Sequence, residues 1–257
     1  MTKREWSVLF LGKEKDGHVE RAVEFCRLHF TSVGVYLGKW EDPFPADAAS
    51  SKWDCVISYL SRWIVSDEFL KLARIAINFH PGPPEYPGYG CNNFAIYEGA
   101  QEYGVTCHHM APSVDTGAII EVVRFPVLAT DNAGTLLTRA YDFQLALFYK
   151  VVDRIIRGED LPVSREAWTR KPFTRKQFRE LGRMTPDMTE QEIARRKRSL
   201  DVSALKISGW NDDLERGVGG ARVRQRSAIA MRERVRPLRY SAPRPRSWSN
   251  STLGDRT

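Results

Sequence analysis

The sequence contains no apolar run long enough to cross a membrane. Mean hydropathy is -0.42, and no stretch of about 18 consecutive apolar residues occurs, so membrane insertion is excluded. The apolar stretch near the start, Trp6 to Leu11, is only about six residues long and precedes no small-residue cleavage site, which argues against a signal peptide. We therefore expect a cytoplasmic protein.

Cysteine is scarce, and the common cofactor motifs are absent. The four cysteines lack CxxC spacing, which predicts free thiols in a reducing compartment and no metal site. Gly12, after the first apolar run, lies in the context G-K-E-K-D-G rather than G-x-G-x-x-G. A dinucleotide-dependent oxidoreductase is therefore rejected.

Positive charge is unevenly distributed along the chain. The formal net charge is +7, yet residues 1–150 carry more Asp and Glu than Lys and Arg. Ten arginines and no lysine lie between Leu214 and Arg246, and a Pro/Ser-rich end follows. This composition predicts a flexible tail over residues 214–257, and a basic tail can also indicate a nucleic-acid partner.

Strand-like and helix-like segments alternate through the first 160 residues. Short apolar runs at 6–11, 33–37, 55–59 and 74–79 indicate buried strands, and helical spacing appears at 19–30 and 136–157. This alternation predicts an α/β fold with a parallel sheet and helices on both faces. We predict a catalytic domain over 1–160, a helical extension over 161–213 and the tail described above.

Residues 77–117 are the most informative part of the sequence. Asn78 and His80 stand two apart at the end of a predicted strand, so both side chains point to the same side. A proline- and glycine-rich stretch follows, and Asp115 lies later in a V-D-T-G turn. An amide donor, an imidazole and a carboxylate together suit attack on a carbonyl by an uncharged nucleophile, because an oxygen must be polarised and a proton moved.

Five elements of this window resemble, in order, the signature of the formyltransferase family that uses 10-formyltetrahydrofolate. They are Asn78-Phe79-His80-Pro81, Tyr86-Pro87-Gly88, Gly104-Val105-Thr106-Cys107-His108, Asp115-Thr116-Gly117 and the apolar run Ala118-Ile119-Ile120. The resemblance covers residues 6–160 and implies a formyltransferase-type, Rossmann-like fold with a small basic C-terminal extension. Many members have H-P-S-L-L-P where this chain has H-P-G-P-P, a departure expected to affect specificity more than chemistry.

The resemblance also implies the catalytic roles. The acceptor amine would attack the formyl carbon on folate N10, and Asn78 would donate to the oxyanion, a contribution of roughly 3–4 kcal/mol in comparable sites. His80 would stabilise that oxyanion or move a proton from the amine towards N10. Asp115 would orient the imidazole, directly or through water.

Binding residues follow from the same resemblance. Family members hold the pterin after the third strand and in the loop before the catalytic aspartate. Trp63 fits either an apolar pterin contact or a core position, and His108 fits either a structural or a substrate-lining role. The predicted cofactor residues are Arg62, Trp63, Ile64, Val65 and Val114, and the predicted substrate-lining residues are His108, Tyr86 and Gly88.

Several acceptors are compatible with these motifs. The stretch from His80 to Tyr97 most resembles enzymes that formylate nucleotide-linked amino sugars such as GDP-perosamine or a dTDP-linked 4-amino-4,6-dideoxyhexose, which supply bacterial O-antigen. This subgroup implies a homodimer and makes nucleic acid an unfavoured partner. Methionyl-tRNA and glycinamide ribonucleotide are alternative acceptors, and a non-catalytic RNA-binding module is the alternative from another class.

Overall fold

A computed structural model describes residues 3–203, so the arginine-rich segment 214–257 lies outside the described residues. The elements follow one another as β1 (Arg4–Lys13), α1 (Gly17–His29), β2 (Phe30–Gly38), a 3-10 turn (Ala46–Ser50), β3 (Trp53–Tyr59), α2 (Asp67–Leu70), β4 (Ala73–His80), α3 (Cys91–Glu98), β5 (Glu102–His109), β6 (Ile119–Pro126), α4 (Ala133–Arg157), α5 (Arg175–Gly182) and α6 (Glu190–Leu200).

The strands form one six-stranded sheet in the order β2-β1-β3-β4-β5-β6. The first four strands in this order are parallel, as the alternating pattern predicts. Strands β5 and β6 run antiparallel to their neighbours, so the expected parallel sheet is in fact mixed. The reason is the connection: an eight-residue helix and short turns return the chain beside β4 in the opposite direction. The α/β fold class itself is confirmed.

Alternating side chains give the sheet two buried faces. In β1, Val8 and Phe10 contribute to the larger core beneath α1, α3 and α4, whereas Leu9 and Leu11 contribute to a smaller core on the opposite face. The smaller core also contains Ala48 of the 3-10 turn. Cover on both faces explains why the parallel strands read as continuous apolar runs.

Capping residues define the helices that flank the site. The Asp16 carboxylate caps α1, accepting from the backbone N–H groups of His18 and Val19. Asn132 and Thr135 form a reciprocal capping box at the start of α4. Ser66 caps α2 as its sequence context predicts, although that helix is only one turn long. Over residues 3–203, none of the helices has the length and apolar content required to span a bilayer.

Candidate active site

Pairing of strands β4 and β5 places the first polar residues of the site. Asn78 and His80 lie at the carboxyl end of β4, and the antiparallel register sets His108 of β5 opposite Asn78. The buried Gln144 amide of α4 donates to the Phe79 carbonyl at 2.6 Å, which fixes the end of β4 between Asn78 and His80. Ligands of open α/β sheets bind beyond such carboxyl ends.

Four polar side chains form a connected network there. The Asn78 Nδ2 group lies 3.0 Å from His108 Nε2, and His108 Nδ1 donates to the His109 carbonyl at 2.7 Å. Asp115 joins both imidazoles, with Oδ2 3.2 Å from His80 Nδ1 and Oδ1 3.4 Å from His108 Nε2. An Asn side chain has two N–H donors, so Asn78 retains one for a ligand. The predicted catalytic residues are therefore brought together in space.

Asp115 is held by an unusual backbone. Its φ of +46° lies in the left-handed region, which non-glycine residues seldom adopt. The Gly88 N–H donates to its Oδ2 at 2.7 Å. Two residues later, a Cβ on Gly117 would overlap the His109 carbonyl, so only glycine lets the loop pack this closely against β5.

The electrostatic environment favours the ionised form of Asp115. Burial alone would raise the pKa of this carboxyl, but attraction to His80 and His108 and the hydrogen bond from the Gly88 backbone outweigh it, lowering the pKa to about 2. The carboxylate is therefore charged across the physiological range. It can orient an imidazole and balance the charge of an imidazolium.

The turn after His80 explains the H-P-G departure from the family pattern. The Tyr103 hydroxyl donates to the Pro81 carbonyl at 2.9 Å, which anchors this turn to β5. A Cβ on Gly82 would lie 2.6 Å from His80 Nε2 and 3.0 Å from the Tyr86 carbonyl oxygen. Glycine thus lets His80 Nε2 approach the Tyr86 carbonyl, at 2.9 Å.

A pocket of about 550 Å³ opens above this network. This volume lies within the usual range for small-molecule sites. Its lining includes Asn78, His80, His108 and Asp115, together with Gly88. Tyr86 is placed differently, since its 8% exposed ring packs in the core against Tyr103 and Phe173 and does not appear among the described residues that line the pocket. The sequence predicts that Tyr86 lines the substrate, but only its backbone carbonyl lies near the site, where it contacts His80.

The residues predicted to hold a cofactor line one side of the same pocket. Ile64 is 75% exposed and Val114 is 43% exposed, so both present apolar surface to a ligand. Trp63 serves the core as well, because its Nε1 donates to the carbonyls of Asp42 and Pro43 and its ring packs on the smaller core. Val65 is buried and Arg62 lies over the Trp40 ring.

The sequence interpretation missed a group of residues at the pocket rim. The guanidinium carbons of Arg175 and Arg62 lie 3.9 Å and 4.8 Å from the Trp40 ring centroid, and the Tyr89 ring lies 6.1 Å from it. The Trp40 Nε1 group is buried and has no hydrogen-bond partner among residues 3–203. Trp40 could have been found, because it follows the carboxyl end of β2 by two residues, whereas nothing local marks Arg175.

Charge in the lining is mainly positive. Among the described residues that line the pocket, the cations are Lys13, Arg62 and Arg175 and the carboxylate is Asp115, while Lys13 also pairs with Asp16 at 3.8 Å. Such an excess attracts anionic ligands. Through residues 3–203, no group of three or more His, Cys, Asp or Glu side chains is arranged to hold a metal ion.

Known proteins with similar sequences are formyltransferases. The sequence profile described as "Formyl transferase" matches residues 46–152. A methionyl-tRNA formyltransferase of Enterococcus faecalis is 27% identical over 145 residues, covering 54% of this chain and 46% of that protein. The corresponding protein of Latilactobacillus sakei is 31% identical over 116 residues, covering 44% and 36%. The chain therefore spans less than half the length of these curated relatives.

Solved structures share the fold. An N-formyltransferase from Helicobacter canadensis, in complex with folinic acid and dTDP-3-aminofucose, has a TM-score of 0.61 at 22% identity, covering 75% of this chain and 80% of that one. A 4-N formyltransferase from Francisella tularensis has a TM-score of 0.64 at 18% identity, covering 79% and 91%. The formyl transferase profile thus matches residues 46–152, and the two solved N-formyltransferases share the fold of the described residues.

Proposed function

We propose that this protein transfers the formyl group of 10-formyltetrahydrofolate to the amine of a nucleotide-linked amino sugar. The observation that carries the proposal is the Asn78–His108–Asp115–His80 network in the lining of the pocket. It lies in the part of the chain that the formyl transferase profile matches, at the sheet edge where ligands of such folds bind.

The network can perform each step of an acyl transfer. When bound, 10-formyltetrahydrofolate supplies an activated formyl carbon on N10. Asn78 donates its second N–H to the carbonyl oxygen as that oxygen gains negative charge. Asp115 holds His80 through Nδ1, and His80 exchanges its Tyr86 contact for the reacting groups, so that the proton lost by the acceptor amine reaches the departing nitrogen.

The pocket fits the folate along the side formed by residues 62–65 and 111–114. Exposed Ile64 and Val114 provide apolar contacts for a flat ring, and backbone groups of the two loops are available to its polar edge. The folinic acid complex of the Helicobacter canadensis enzyme supports this choice of donor, since the two proteins share the fold. No metal is required by this chemistry.

Positive charge and aromatic rings at the rim support an acceptor that carries a nucleotide. Arg175 and Lys13 suit a diphosphate, and Trp40 and Tyr89 suit a base. The acceptor named for the Helicobacter canadensis enzyme, dTDP-3-aminofucose, is of this class. Within the class we propose a 4-amino-4,6-dideoxyhexose, such as GDP-perosamine, destined for lipopolysaccharide O-antigen.

We further propose that the enzyme is a cytoplasmic homodimer. All four cysteines are buried free thiols, which suits a reducing compartment. Subunit pairing follows from the family resemblance alone.

Methionyl-tRNA is the alternative acceptor, because the curated sequence relatives act on it by name. Those matches cover less than half of each relative. Glycinamide ribonucleotide remains a further alternative.

A single panel separates these acceptors. The full chain is incubated with 10-formyltetrahydrofolate and one acceptor at a time: GDP- and dTDP-linked amino sugars, methionyl-tRNA or glycinamide ribonucleotide, and formylated product is detected by mass. We expect product with at least one amino sugar nucleotide. Product with methionyl-tRNA alone would replace our proposal by the alternative.

A further inference from the structure

The segment that follows helix α4 runs past the histidine pair, and its Trp168 contacts both rings. Four backbone hydrogen bonds fix it. Its own N–H groups make three of them: Ser164 to the Ile119 carbonyl at 2.9 Å, Thr169 to the Pro84 carbonyl at 3.2 Å and Phe173 to the Pro87 carbonyl at 2.9 Å. In the fourth, the Tyr89 N–H donates to the Phe173 carbonyl at 2.9 Å. Its course therefore follows the loops that carry the catalytic residues.

Trp168 in this segment contacts three parts of the network at once. Its ring centroid lies 5.9 Å from that of His80 and 5.1 Å from that of His108, at interplanar angles of 70° and 89°. These are edge-to-face aromatic contacts. Its Nε1 donates to the Gly117 carbonyl at 2.8 Å, in the loop that places Asp115.

We propose that Trp168 is a positioning residue that holds both imidazoles and the Asp115 loop in their reactive arrangement. It acts through these groups rather than on a ligand, since it is absent from the described residues that line the pocket. The expected loss of rate rests on the proposed function, whereas the expected loss of order in the two imidazoles does not.

The geometry explains why one indole can do this. Both imidazoles pack against it nearly at right angles, so rotation of either ring about its Cβ–Cγ bond would meet the indole. Such a rotation would separate His80 Nδ1 from Asp115, now 3.2 Å apart. The hydrogen bond to Gly117 simultaneously restrains a loop whose Asp115 has a left-handed backbone. A shift of about 1 Å in a catalytic group can lower a rate 10²-fold.

Steady-state kinetics with two variants separate the ring from its N–H group. Trp168→Ala removes both, and Trp168→Phe keeps an aromatic ring without the donor. We expect Trp168→Ala to lower kcat about 10- to 100-fold while the KM values of donor and acceptor change less than about threefold, with Trp168→Phe intermediate. Trp6→Ala is the matched control and should keep kcat, because this indole packs on Arg4, Arg74 and the larger core and does not line the described pocket.

The pH profile of kcat/KM gives a readout that a purely structural role would not change. The groups that face the pair are Asp115 for both imidazoles, the Tyr86 carbonyl for His80, and Asn78 and His109 for His108. The profile of Trp168→Ala should shift against that of the wild type, while the Trp6→Ala profile should superimpose. Unchanged kcat and profile in both Trp168 variants, or a raised KM at constant kcat, would overturn the proposal.

Nitrogen-15 spectra of the histidine rings keep the test independent of activity. The wild type should show one fixed protonation pattern for each of His80 and His108, and Trp168→Ala should show averaged signals at an unchanged fold. If no acceptor is formylated, the proposed function fails, but these spectra still test the positioning role of Trp168. Unaltered His80 and His108 signals in Trp168→Ala would refute that role.

Discussion

The window of residues 77–117 and the segment of residues 161–178 contribute to the same pocket in different ways. The window supplies the reacting groups, and they lie on two paired strands and one loop, within about forty residues of sequence. The later segment supplies Pro172 to Arg175 and Phe178 to the pocket lining, together with Trp168 behind the histidines. Chemistry is thus encoded locally, whereas the shape of the site depends on residues far along the chain.

This difference has a physical basis. Adjacent strand residues fix the relative positions of Asn78, His80 and His108 through backbone hydrogen bonds, so a short motif suffices. A pocket wall needs only a side chain of suitable size and charge, and many sequence patterns provide one.

The largest effect should come from the window. His80→Ala and Asp115→Ala should each lower kcat about 10²- to 10⁴-fold, because each removes acid–base function or its orientation. Circular dichroism should show both variants folded. Turnover of folded His80→Ala near the wild-type level would show that the catalytic site is assigned wrongly.

Replacing Gly82 by serine, the residue that many family members have at this position, should also lower activity. Gly82→Ser places a Cβ 2.6 Å from His80 Nε2, so the imidazole or the Tyr86 carbonyl must move, and kcat should fall about 10- to 100-fold. Gly17→Ser is the control, since a Cβ there meets nothing within 4 Å. Equal activity of the two variants would mean that the H-P-G turn has no part in placing His80.

The stability of the window should depend on pH through Asp115. Its pKa falls from 3.8 to about 2 on folding. A carboxyl group whose pKa is lower in the folded protein stabilises the fold at pH values above its unfolded-state pKa. This stabilisation is lost as the pH falls through the folded-state pKa, and here the loss is about 2 kcal/mol between pH 4 and pH 2. Chemical denaturation of wild type and Asp115→Asn should show the difference in unfolding free energy narrowing across this range. A constant difference would contradict the cause given for the shift.

A charge introduced where the folate is proposed to bind should weaken binding of the folate and not of the acceptor. Ile64→Glu should raise the folate KM about tenfold, equivalent to 1.4 kcal/mol of binding, with little change in the acceptor KM. Val163→Glu alters an equally exposed residue, 78% against 75%, outside the described pocket lining. Equal rises in both KM values for Ile64→Glu would place the pterin elsewhere.

The smallest effect should come from the arginine-rich end. Residues 3–203 already contain the whole pocket described above, so a chain ending near Gly217 should keep formyl transfer to an amino sugar nucleotide within about threefold. Steady-state rates of the two chains measure this directly. An RNA-dependent activity would instead disappear, and its binding would fall steeply with salt in the full chain.

The sequence predicted the strands, the long helix and the meeting of Asn78, His80 and Asp115, because these follow from periodicity and one contiguous motif. It could not predict that β5 and β6 run antiparallel, since an apolar run has the same pattern in either direction. Tyr86 illustrates another limit: the motif marks its position, but only packing decides that the ring turns into the core. Arg175 and Trp168 escaped notice because their partners lie roughly 50 to 135 residues away in the chain.

We propose that the Asn78, His80 and Asp115 network drives formyl transfer to a nucleotide-linked amino sugar. The most direct test is a single-turnover reaction with 10-formyltetrahydrofolate and GDP- or dTDP-linked amino sugars, comparing wild type with folded Asp115→Ala by product mass. We predict formylated sugar nucleotide from the wild type and a rate at least about 100-fold lower from the variant. Product from methionyl-tRNA but from no sugar nucleotide, or equal rates for the two proteins, would contradict it.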